Sequence, residues 1–93
     1  MGGDMHFIVT ATRVFEVIVD EEGLGVKQVA SNDWESGLQA PPIWRGDEVL
    51  VRKGFALLLK SEGRVVLNAF PIEDFSRVIP EGFRILGVGY GYR

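Results

Sequence analysis

Residues 20–37, "DEEGLGVKQVASNDWESG", can fold in two ways, and the class of the domain turns on which one wins. Val26, Val29, Ala30 and Trp34 fall at helical spacing. The acids at 20–22 suit the positive end of a helix, and Gly37 suits its stop. Gly23 and Gly25 each cost a helical first turn about 1 kcal/mol against alanine. This pattern predicts a short helix over about 26–36. The alternative is a hairpin that turns at "EEGLG" and sends a second strand through 26–30.

On the N-terminal side, "HFIVTATRVFEVIVD" (residues 6–20) is rich in β-branched and aromatic residues. Phe7, Val9, Ala11, Phe15, Val17 and Val19 share one parity. That period of two predicts one long strand, or two collinear strands with a bend near Thr12 and Arg13. On the other side, adjacent Pro41 and Pro42 make "LQAPPIWRGD" a connection, since neither can donate a ladder hydrogen bond. "EVLVRKGFALLLK" and "RVVLNAF" then flank "SEG", a three-residue hairpin loop whose glycine takes positive φ. Lys53–Gly54 reads as a tight turn or a bulge. "PIEDFSRVIPEG" reads as a helical turn or structured loop, and a last strand is expected over 83–92.

The fold class expected is α+β, a mainly antiparallel sheet of about four to five strands with one short helix and a structured loop. A small all-β barrel is the alternative if 21–36 is not helical. Ninety-three residues make a single domain, 1–93, with 1–5 expected to be disordered.

The chain has 46% hydrophobic and 25% charged residues, in the range of globular proteins, and no cysteine. Disulfides, thiolate zinc sites and thiol nucleophiles are thereby excluded. The longest apolar run, Phe55–Leu59, falls far short of the roughly 20 residues a spanning helix needs. A cytoplasmic location is expected, with no membrane partner. Net charge is −3, with the acidic excess in residues 1–44, so the chain as a whole does not have the charge of a nucleic-acid binder.

Catalytic chemistry finds no anchor. His6 is the lone histidine, and no serine sits in a nucleophile motif. The carboxylate groups at 20–22, 47–48 and 73–74 lack the alternating spacing of a calcium loop. No catalytic residue, cofactor or metal is assigned. "RGD" at 45–47 is a tripeptide common by chance, and here it precedes a strand.

The central hairpin is apolar on both faces. Phe55, Leu57, Leu59, Val65, Leu67 and Ala69 share one parity; Ala56, Leu58, Val66 and Phe70 share the other. An antiparallel sheet with one solvated face should alternate polar with apolar. One short helix covers one side of such a sheet, so the remainder is expected to meet a partner. A non-catalytic protein-binding or self-associating module, accessory or regulatory in role, is therefore the function expected. Its partner is a further copy of itself or another protein. Trp44, Leu58, Val66, Phe70, Phe75, Tyr90 and Tyr92 are the expected contact residues. In the closing "RILGVGYGYR", glycines at 87, 89 and 91 leave one strand face bare, which suits close packing of layers. Tyr90 and Tyr92 on the other face could stack bases.

The run "VLVRKGFALLLKSEGRVVLNAF" with the closing "VGYGYR" resembles the sheet of RelE/ParE-type toxins over about a third of the chain. That resemblance implies ribosome-dependent mRNA cleavage or gyrase binding, with Arg52, Arg64, Tyr90 and Arg93 as contacts. Binding of single-stranded nucleic acid without cleavage is a related alternative. The family's long helical hairpin has no counterpart in this sequence, where one short helix is expected.

Overall fold

The computed structural model describes residues 6–32 and 41–86. Residues 1–5, Trp34 with the rest of 33–40, and Tyr90, Tyr92 and Arg93 with the rest of 87–93 lie outside them. The described residues form nine strands, and none of them is helical. There is accordingly no helix long and apolar enough to cross a membrane among the described residues. The α+β expectation is overturned: the domain is all-β, built from a six-stranded and a three-stranded antiparallel sheet. The sheets remain open, so the barrel alternative does not describe it either.

The correction begins at residues 20–31. β2 (Arg13–Asp20) and β3 (Gly23–Ser31) form the hairpin that was the alternative to a helix. Val17 pairs with Val26, Val19 with Leu24, and Glu16 with Lys27. The acids that suit a helix start instead build the turn. Asp20 Oδ1 accepts the Glu22 N–H at 2.9 Å, and Gly23 takes φ +103°. A left-handed position followed by β-branched Val26 and Val29 favours strand over helix.

A second correction lies at residues 10–13. β1 (Phe7–Val9) does not run on into β2 but folds back on it, Ile8 opposite Phe15 and Val9 opposite Val14. Thr10 closes this turn from both its groups. Its N–H donates to the Arg13 carbonyl at 2.9 Å, and its hydroxyl oxygen accepts the Arg13 N–H at 2.9 Å. No glycine, proline or asparagine marks the reversal; a threonine side chain does the work of one.

The six-stranded sheet runs β4-β3-β2-β1-β8, with β9 also on β3. β4 (Ile43–Arg45) and β9 (Arg84–Ile85) share that edge of β3, β4 against Gly25–Lys27 and β9 against Ala30–Ser31. β8 (Asp74–Ser76) occupies the other edge, where a helical turn or loop was expected. Ile72 explains why. Its N–H donates to the Phe55 carbonyl, its carbonyl accepts the Gly54 N–H, and Glu73 N–H reaches Val9. The chain is thus handed from one sheet to the other and delivered onto β1.

β5 (Glu48–Val51), β6 (Leu57–Ser61) and β7 (Arg64–Ala69) form the smaller sheet in that order. Lys53–Gly54 is a tight turn. At "SEG" both Glu62 (φ 52°) and Gly63 (φ 82°) have positive φ, the pattern of a type I′ hairpin turn.

The two sheets pack face to face. Ile8, Phe15 and Val26 of the larger meet Leu57, Leu59, Leu67 and Ala69 of the smaller, with Ile72 between them. A second cluster lies on the far side of the larger sheet, where Ile79 and Phe83 pack over Val9, Val14, Val29 and Ala30. The larger sheet therefore carries a buried cluster on each face, with Val19, Ile43, Phe75 and Ile85 left exposed at its margins. Among the described residues, no comparable cluster forms on the outer face of the smaller one.

Candidate functional site: the outer face of the three-stranded sheet

Register decides which side chains this face shows. Val49, Leu57, Leu59 and Leu67 point to the core. Leu50, Leu58 and Asn68 stand opposite one another across the three strands and point away from it. A bulge then breaks the parity in β7. Lys60 pairs with Val65 but Leu59 with Leu67, leaving Val66 as the extra residue. Val65, grouped by parity with the core, is consequently exposed beside Val66. Phe55 is likewise turned out, because the turn from Arg52 to Ala56 breaks the strand before β6; Phe55 N–H donates to the Arg52 carbonyl at 3.0 Å.

Phe55 and Phe70 are 63% and 66% exposed, although each is a large aromatic. Both line an apolar groove of about 390 Å³ whose walls also include Ala56, Leu58, Asn68 and Pro71. The Phe70–Pro71 peptide is cis. On its other side Phe70 borders a smaller polar notch of about 170 Å³ with Thr10, Thr12, Arg13 and Asn68. Charge stands at both ends of the smaller sheet: Glu48 pairs across the ladder with Lys60 and Arg64 opens β7 at one, and exposed Arg52 and Lys53 follow β5 at the other.

The expected contact residues divide. Leu58, Val66 and Phe70 are gathered on this face, with Leu58 half-buried and the other two exposed. Trp44 is on β4, where it is half-buried against the core and its ring centroid lies 6.3 Å from that of Phe15 at 59°. That tilted arrangement is a favourable aromatic pairing. Phe75 is on β8, opposite Ile8 in the other sheet, and is 37% exposed. Tyr90 and Tyr92 lie outside the described residues. Of the nucleic-acid set, Arg52 and Arg64 stand at opposite ends of the smaller sheet, and Tyr90 and Arg93 lie outside the described residues. Leu50, Phe55 and Val65 are the face residues that parity missed. The bulge and the turn that expose the last two leave no mark on periodicity.

"RGD" has a structural use at each position. Arg45 holds both Asp20 carboxylate oxygens, at 2.8 and 3.0 Å, and donates to the Gly23 carbonyl at 3.1 Å. The Arg45 hydrogen bonds, with the Glu22 N–H, hold the Asp20 carboxyl below the usual carboxylate range. Gly46 carries the chain between the sheets. Asp47 Oδ2 accepts the Glu62 N–H at 2.9 Å and so caps the type I′ turn. Elsewhere Asp74, bonded by the Phe75 N–H and Lys53, is also held low. No group of three or more His, Cys, Asp or Glu gathers as a metal site among the described residues.

Set against known protein families, characterised proteins and solved structures, the chain matches none.

Proposed function

We propose that the protein is a non-catalytic association module that works through the outer face of its three-stranded sheet. One observation carries this reading. The larger sheet carries a buried cluster on each face, while the smaller has one on its inner face alone among the described residues and presents Leu50, Phe55, Val65, Val66 and Phe70 exposed on the other. Contiguous apolar surface of this kind on a small domain marks a contact site more often than a solvated one. Phe55 and Phe70 bracket one end of the face, just before β6 and just after β7, with Leu58 beside them, and exposed aromatics are enriched at protein interfaces. The cytoplasm is the compartment we assign to it, a choice supported by the lack of cysteine.

Photo-crosslinking in the protein's own cells tests the reading. A photoreactive residue at Leu58 should give adducts, whereas one at Val78, more open but remote from the face, should not. Adducts from position 78 alone, or from neither, would refute it.

A further inference from the structure

Two cavities meet at Phe70. The apolar groove of about 390 Å³ and the polar notch of about 170 Å³ share Phe70 and Asn68 as walls. The groove alone is within the size range of ligand sites. Among the residues that line the pair, Arg13 is the one charged group.

Arg13 is held at both its backbone and its head. Its N–H donates to the Thr10 hydroxyl oxygen at 2.9 Å, and its carbonyl accepts the Thr10 N–H at 2.9 Å. On β2 it shares parity with Phe15, and its guanidinium carbon stands 6.0 Å from the centre of the Phe15 ring. An aromatic face attracts a cation at this range. Phe15 itself lines the notch, so the attraction keeps the guanidinium there. Arg13 is exposed and makes no ion pair among the described residues. Thr12 and Asn68, also exposed, bring a hydroxyl and an amide to the same notch. A guanidinium without an acid partner, flanked by neutral hydrogen-bonding groups, selects a carboxylate, which its fork of donors fits.

We propose that the two cavities form one peptide-binding site. An extended segment of a partner protein seats a large apolar side chain in the groove and sets an aspartate or glutamate against Arg13. The inference rests on the association reading above and names the chemistry of the partner. Phe70, the shared wall, sets the spacing. Atoms in contact with its two sides, each at about 3.5–4 Å, lie about 7–8 Å apart. An extended chain covers about 7 Å in two residues, and side chains two apart point the same way. The apolar residue and the acid therefore stand at i and i+2, in either order.

Local charge favours an acid although the chain as a whole is at −3. The acidic turn begins at Asp20, the far end of β2, about 23 Å from Arg13 at about 3.3 Å per residue. That is well over the screening length of about 8 Å. Nearer the groove, Asp74 is bonded to Lys53 at 3.3 Å. Glu73 has a counterpart in exposed Arg52, which leaves Arg13 as the surplus charge. A nucleic-acid backbone needs a row of cations, and these cavities hold one.

Selection from a phage library of random peptides on the immobilised chain tests this, with circular dichroism to confirm that each variant is folded. Enriched peptides should carry an acid two residues from a large aliphatic or aromatic residue. One of them, synthesised and titrated, should bind about tenfold more weakly to Arg13→Gln and to Phe70→Ala, and unchanged to Arg84→Gln on β9. Converting the peptide's acid to its amide should cost the wild type the same tenfold and cost Arg13→Gln nothing further. Enriched peptides without acids, an Arg13→Gln loss that persists with the amide peptide, or no enrichment at all would overturn the proposal. In each of those cases adducts from position 58 in cells would leave the association reading standing, and their absence would remove both.

Discussion

Replacing Gly46 with alanine should be among the most damaging single-methyl additions this domain can receive. Gly46 is where the chain leaves β4 of one sheet and enters β5 of the other. Its N–H donates to the Leu24 carbonyl at 3.3 Å, and the next N–H, of Asp47, donates to the Lys60 carbonyl at 2.8 Å. A Cβ here would overlap that same Lys60 oxygen outright and lie 2.9 Å from Leu59 Cγ and Cδ1. Lys60 is mid-ladder and Leu59 is fully buried, so neither can swing aside. Forcing a methyl into a filled interior costs about 1–3 kcal/mol. Each of the two stretched backbone bonds adds about 1 kcal/mol. The total, about 3–5 kcal/mol, is a large share of the 5–14 kcal/mol usual for a domain of this length.

Urea unfolding measures it directly. With a slope near 1–1.5 kcal/mol/M, the midpoint should fall by roughly 2–5 M at unchanged slope. Gly54→Ala is the control. It sits at φ +80° with nothing within 4 Å of the added carbon, so it bears only the left-handed penalty of about 1–2 kcal/mol. If Gly46→Ala costs no more than Gly54→Ala, the close crossing between the sheets is wrong.

Three further outcomes are expected. Leu59→Ala should cost about 2–5 kcal/mol in thermal or urea unfolding, and Leu58→Ala under about 1 kcal/mol, because only the first leaves a cavity between the sheets. Asp47→Ala should cost about 1 kcal/mol by the same assay, since it strips the Glu62 N–H of its acceptor at the type I′ turn. Asp20 is held below the ordinary carboxylate value of 3.8 by Arg45 and the Glu22 N–H. Its contribution is therefore complete above that value and fades as pH falls through the lower folded pKa. Between pH 5 and 2 the unfolding midpoint of Asp20→Asn should decline less steeply than that of the wild type; parallel curves would contradict the assignment.

What could be read in the sequence followed from how local each signal was. The "SEG" turn needs only its own residues, and the expected hairpin forms there, with a loop of two residues, Glu62 and Gly63, in place of three because Ser61 pairs with Arg64. At 20–31 the residues alone are divided. Val26, Val29 and Ala30 suit a helix as well as a strand, and the choice is made by tertiary partners: β2 on one side, β4 and β9 on the other. The reversal at Thr10–Arg13 escaped because the turn is closed by a threonine side chain within an apolar run. β8 escaped because three residues are too few to show a period, and Ile72 and Glu73 place it from outside. The candidate face was legible in kind, since an apolar surplus on the central hairpin is visible in the residues. Its membership was only partly legible, because the bulge at Val66 carries Val65 from the core side to the open one.

Hydroxyl-radical footprinting of Phe55, Leu58 and Phe70 reads that face residue by residue, with Phe75 and Val78 as references elsewhere on the surface. The chain is compared in dilute buffer, at high concentration and in extract of its own cells. The three should lose reactivity in one of the latter conditions while Phe75 and Val78 keep theirs. Equal reactivity of all five in every condition would show that nothing docks on the smaller sheet.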